Sequence, residues 1–168
     1  MDTLAALERL TLVCPGLSFW EGVYLPPKLQ EIRISTQKTT PPVREWGLQH
    51  LTALSRLRTE KGDDILNTLM KESLLPISLG SLLIKDLTFW KCRQLESLPE
   101  NCLPSSLKSL QLWKCNKLES LPEDSLPSSL KKLSITDCPL LEERYKRKEN
   151  WSKIAHIPVI DINDEVTI

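Results

Sequence analysis

Cys92, Cys115 and Cys138 recur every 23 residues in a chain of 168, and evenly repeated thiols are the first candidates for chemistry. Stacked by a repeat, three thiolates could hold a zinc ion or two could close a disulfide. Thiolate metal sites usually contain short C-x-x-C pairs, and the sequence has none. A small thiol also fills space well where a chain leaves a strand, so these cysteines are expected to be buried structural residues without a metal.

Acid-base catalysis has little to draw on. His50 and His156 are the near-neutral bases, far apart in sequence, and neither has a nucleophile or carboxylate in phase with it. The carboxylates of Asp63-Asp64 and Glu142-Glu143 are adjacent, hence on opposite sides of a strand or about 100° apart on a helix, so neither pair shares a face. A helix start and a solvated surface are their expected roles. Five glycines form no phosphate-cradling loop. The expectation is no enzyme and no cofactor.

The elements that position these side chains follow from the same period. "LPSSLKSLQLWKC" (103–115) is nearly repeated as "LPSSLKKLSITDC" (126–138), and Gly80–Cys102 matches Leu103–Ser125 at 11 of 23 positions. Leu107-x-x-Leu110-x-Leu112-x-x-Cys115 has the spelling of a leucine-rich repeat. Leu110 and Leu112 point to one side of a strand and Gln111 to the other, so one copy cannot bury its apolar side alone. Stacking the copies as a parallel ladder about 4.8 Å apart buries that side continuously. The expected fold is α/β: a leucine-rich-repeat solenoid with one parallel β-ladder on its concave face, short irregular or helical convex segments and a C-terminal cap.

Weaker copies extend toward the N-terminus at Leu7-x-x-Leu10-x-Leu12, Leu29-x-x-Ile32-x-Ile34 and Leu54-x-x-Leu57-x-Thr59, with a fourth at Leu79-x-x-Leu82-x-Ile84. There Ile84 crowds Leu87 and Phe89, as if about one repeat had been lost, and only one of the two phases is expected in the ladder. The single domain 1–168 thus divides into weak repeats (4–75), a junction (76–92), strong repeats (92–141) and a cap (142–168). Ile65, Leu66, Leu69 and Met70 predict a helix after Asp63/Asp64 as its N-cap, stopped by Pro76. Proline-rich return segments elsewhere disfavour helix. In the cap, Trp151 and Ile154 form the apolar underside, followed by strand-like alternation at Val159, Ile160 and Ile162. At the other end the first strand starts within ten residues of Met1 with no cap, which points to a fragment or one domain of a longer chain.

Lys+Arg 22 balance Asp+Glu 22, so charge points to neither nucleic acid nor an acidic membrane. No apolar run has the length of a membrane span. Asp2, Glu8 and Arg9 interrupt what a signal peptide would need, so a non-secreted, cytoplasmic chain is expected. The residues between the ladder's leucines face out: Thr88, Trp90 and Lys91; Lys108, Ser109, Gln111, Trp113 and Lys114; Lys131, Lys132, Ser134, Thr136 and Asp137. Trp90 and Trp113 would stand one above the other among lysines, a composition typical of protein-binding hot spots. Stacking for stability alone is the competing role.

The recurrent "LPSSLKxLxIxxCPxLE" and the closing "W-x-K-I-A-H-I-P" resemble the C-terminal leucine-rich repeats of plant disease-resistance proteins, the coiled-coil class of nucleotide-binding leucine-rich-repeat receptors. The resemblance covers about the last ninety residues. It implies a non-catalytic recognition and regulatory module of plant immunity, with protein partners: a receptor's nucleotide-binding domain, a pathogen effector or a host guardee. The chain has no P-loop, so nucleotide binding is not carried over. The alternatives are a leucine-rich substrate-adaptor for ubiquitin ligation and a truncated gene fragment.

Overall fold

Two apolar residues flanking one polar residue favour a strand with one buried face. In the computed structural model, which describes residues 6–13, 25–35, 43–72, 74–75 and 84–167, eight strands lie side by side, and six of them have this spelling. They are β1 (Arg9–Leu12), β2 (Glu31–Ile34), β3 (Arg56–Glu60), β4 (Asp86–Trp90), β5 (Ser109–Trp113), β6 (Lys132–Thr136), β7 (Val159–Ile162) and β8 (Glu165–Thr167). Their order in the sheet is their order in the chain. The first seven are parallel, and β8 folds back antiparallel on β7. Among the described residues the α-helices are few: α1 (Asp63–Lys71), α2 (Pro139–Lys146) and α3 (Lys148–Ile154). The fold is α/β, a seven-strand parallel sheet compatible with a solenoid-like repeat.

Register follows the sequence phases. Leu57, Leu87, Leu110, Leu133 and Ile160 are partners in one row, and Thr59, Phe89, Leu112, Ile135 and Ile162 in the next. All except Ile162 are buried. Thr59 breaks the apolar second row, and its buried hydroxyl has no hydrogen-bond partner among the described residues. At the edge, Leu10 and Leu12 of β1 are half-buried where their partners Ile32 and Ile34 are buried.

The junction contains a simpler arrangement than the sequence suggested. The phase of Leu87 and Phe89 forms β4, whereas Ile84 lies before the strand, fully buried. Ile84 stands 23 residues before Leu107 and 46 before Leu130, so it is the opening residue of the β4 repeat rather than the end of another. Leu79, Leu82 and Pro76 lie outside the described residues. The step from Leu57 to Leu87 is 30 residues (87 − 57) and holds α1, so it is longer than its neighbours and no repeat need be missing.

Ile65, Leu66, Leu69 and Met70 are buried on α1 at the spacing that predicted the helix. Its cap differs from expectation: Gly62 precedes the helix, and no side chain caps it. The buried Asp63 is turned to the next repeat instead, where its Oδ1 accepts the Gln94 N–H at 2.9 Å and the Leu95 N–H at 3.1 Å. Two backbone donors of a buried turn outcompete the helix end for one carboxylate.

The cysteines sit where each strand ends, fully buried and as free thiols. Cys115 Sγ donates to the Phe89 carbonyl and Cys138 Sγ to that of Leu112, each at 3.6 Å, so each thiol grips the preceding rung. Hydrogen bonds among the thiols, with Cys138 and then Cys92, together with burial push the Cys115 pKa far above the ordinary thiol value. After Cys138 the chain forms α2 and α3, with Leu141, Tyr145 and Ile154 buried and Trp151 packed against the core. Inside the segment assigned to the cap, Val159–Ile162 joins the ladder as a seventh parallel rung.

Candidate functional site

The sheet's outer face carries the candidate residues. Alternation along β4 to β6 turns Thr88, Trp90, Ser109, Gln111, Trp113, Lys132, Ser134 and Thr136 away from the core rows. Lys108 and Lys131 stand exposed just before β5 and β6. Lys91, Lys114 and Asp137 each follow a strand in the left-handed region, with φ of 56°, 57° and 53°. Such a conformation costs a non-glycine residue about 1–2 kcal/mol. It lets the ladder run one residue further: Lys91 N–H donates to the Trp113 carbonyl at 2.7 Å, and Lys114 N–H to that of Thr136 at 3.0 Å. In Asp137 the N–H meets Asn163 Oδ1 at 3.0 Å.

These turns fold the lysines back over the indoles. Trp90 and Trp113 stack with centroids 5.3 Å apart and planes 19° from parallel. Lys91 Nζ lies 4.7 Å from the Trp90 ring centre and Lys114 Nζ 5.9 Å from that of Trp113. Lys91 also pairs with Glu60 at 3.6 Å, and Lys114 with Asp137 at 3.8 Å. Trp113 Nε1 donates to Asp137 Oδ2 at 3.3 Å. Trp90 is half-buried, whereas Trp113 is 43% exposed. The stack is thus held at one end and open at the other. Ser134 and Thr136 are half-buried farther along, Ser134 Oγ donating to Asp161 Oδ2 at 3.4 Å.

The face continues onto β1 to β4 as a cleft of about 230 Å³ lined by Thr11, Val13, Arg33, Ser35, Arg58, Glu60, Thr88 and Trp90. Of these only Thr88 and Trp90 were foreseen. Arg33 and Arg58 are register partners. The signal was present, because they follow Ile32 and Leu57 of the weaker copies just as Gln111 follows Leu110. Glu31 accepts from Arg33 Nε at 2.7 Å and pairs with Arg56 at 3.5 Å. The Arg33 hydrogen bond holds its pKa below the ordinary carboxylate value against burial, and the charges of Arg33, Arg56 and Arg58 add to the effect. Glu60 accepts from Ser35 Oγ at 3.0 Å and so joins the cleft to Lys91. His50 and His156 are both exposed, on separate segments. Among the described residues no three potential ligands gather into a metal site, and no helix is long and apolar enough to cross a membrane.

A family model described as FNIP Repeat matches residues 95–138, which contain β5 and β6 and make up about a quarter of the chain. No curated protein matches, and no solved structure does. The FNIP match corrects the resemblance to plant nucleotide-binding leucine-rich-repeat receptors: the repeat found is of a family typical of Dictyostelium. The plant-defence role falls with that resemblance, and the receptor domain, effector and guardee that it alone implied are not carried further. The physical reason lies in the motif. Leucines for a buried row, "LPSS" for a turn and cysteine for a tight corner are demanded by stacking, so they report the architecture more faithfully than the lineage.

Proposed function

We propose that the chain is a leucine-rich-repeat-type solenoid that recognises another protein, without catalysis, through the outer face of its sheet. The observation that carries this reading is the Trp90 and Trp113 stack, flanked by Lys91 and Lys114 and ending in an indole that is 43% exposed. A rigid aromatic surface beside cations loses little entropy on binding, which is why tryptophan is enriched in interface hot spots.

Selection of peptides from a random seven-residue display library on the full chain tests the reading. Enriched peptides are expected to lose about thirtyfold or more in affinity for the Trp113→Ala variant. The variant's unfolding free energy should fall by only about 1 kcal/mol, the worth of one aromatic pair. No enrichment, or peptides indifferent to Trp113→Ala, would overturn the reading.

A further inference from the structure

We infer that the cleft over β1 to β4 takes the carboxylate of an aspartate or glutamate in the bound protein, so that the recognised segment is acidic. The inference rests on the recognition reading and adds the partner's chemistry.

Charge in the cleft is unevenly matched. Arg33 is engaged by Glu31, and Glu60 is shared between Ser35 and Lys91. Arg58, exposed on the same wall and in register with Arg33, has no hydrogen bond or ion pair among the described residues. A guanidinium presents a planar fork of donors that fits a carboxylate with two parallel bonds. The neighbouring Trp90 lines the cleft, and its buried Nε1–H has no acceptor among the described residues. Val13, 60% exposed, and the Trp90 ring supply apolar walls for the methylenes of the incoming side chain.

The size of the charge favours a carboxylate over a phosphate. One cation, Arg58, lacks an ion-pair partner among the described residues, and the Glu60 carboxylate stands on the same cleft. A single negative charge balances Arg58, whereas a phosphate group with close to two charges would face repulsion from Glu60. The cleft abuts Trp90, so an extended segment whose acidic side chain meets Arg58 continues directly onto the tryptophan stack.

The same display library, selected on the full chain and screened against Arg58→Gln and Trp113→Ala separately, tests the inference. Enriched peptides are expected to contain Asp or Glu and to bind Arg58→Gln about tenfold or more weakly. Changing their acidic residue to Asn or Gln should cause the same loss on the parent chain and no further loss on Arg58→Gln. Because Arg58 has no hydrogen bond or ion pair among the described residues and its charge is only the last of several that act on Glu31, the thermal melt of Arg58→Gln should stay close to that of the parent. Peptides sensitive to Trp113→Ala but lacking acidic residues, or insensitive to Arg58→Gln, would overturn the inference and leave the recognition reading standing. Peptides insensitive to both variants, or none enriched, would overturn both.

Discussion

Replacing Phe89 by alanine is expected to lower the unfolding free energy by about 3–5 kcal/mol, the range for a large buried aromatic. Phe89 is fully buried in the second core row, between Thr59 of β3 and Leu112 of β5. On one side stands a threonine whose hydroxyl is already unpaired, so the cavity cannot be filled cheaply by sliding that neighbour inward. The Phe89 carbonyl also accepts the Cys115 thiol of the next rung, so relaxation of the β4 backbone would loosen that contact. Urea unfolding followed by circular dichroism measures the loss. A change below about 1 kcal/mol would mean that the rows are not packed as described, since losing so large a buried side chain cannot be that cheap.

Glu123 gives the second large effect, and it depends on pH. Its nearly buried carboxylate accepts from Arg144 Nε at 2.8 Å, Arg144 Nη2 at 3.1 Å and Tyr145 Oη at 3.0 Å, and Lys153 Nζ lies 2.8 Å away. One side chain from the return segment after β5 thus fastens α2 and α3. Burial alone would raise its pKa, but the hydrogen bonds from Arg144, Lys153 and Tyr145 outweigh burial and hold it at about 2, down from 4.5. A depressed carboxylate stabilises the fold fully above the unfolded-state value and loses that contribution as pH falls toward the folded one. Glu123→Gln should therefore cost about 2–3 kcal/mol at pH 7, the partly exposed partners keeping the figure below the full linkage value. The gap between parent and variant should close between pH 4.5 and about 2. Stability curves for the two proteins across that range check it; a constant gap would show that the charge on Glu123 is not what holds the helices.

Legibility of the sequence tracked regularity of spacing. From Leu87 to Cys138 the 23-residue step fixed the core rows, the stacked cysteines and the placement of Trp90 above Trp113, because a strict period in sequence becomes a strict register in a parallel sheet. The helix at Asp63–Lys71 was legible from its own apolar spacing. Ile84 was misread because the weak copy at Leu79 and Leu82 offered a competing frame of the same spelling. The Arg33 and Arg58 cleft was overlooked for the related reason that outward positions were drawn only from the strong copies. Glu123 could not be found by any local rule, since its partners lie 21 to 30 residues away on helices whose docking no period describes. Nor did the left-handed turns announce themselves, for lysine and aspartate occupy positions where glycine or asparagine would have been the signal. Lineage was the least legible of all: the stacking motif was clear, and the plant family drawn from it was not the one that matched.

Neighbouring repeats lie in register, with Trp90 against Trp113 on the outer face. A nuclear Overhauser spectrum of the full chain measures this directly. It should contain backbone cross-peaks linking Leu87 with Leu110 and Leu110 with Leu133, and ring cross-peaks between the two indoles. Helical i to i+3 cross-peaks through residues 109–113, or indoles with no contact between them, would contradict it.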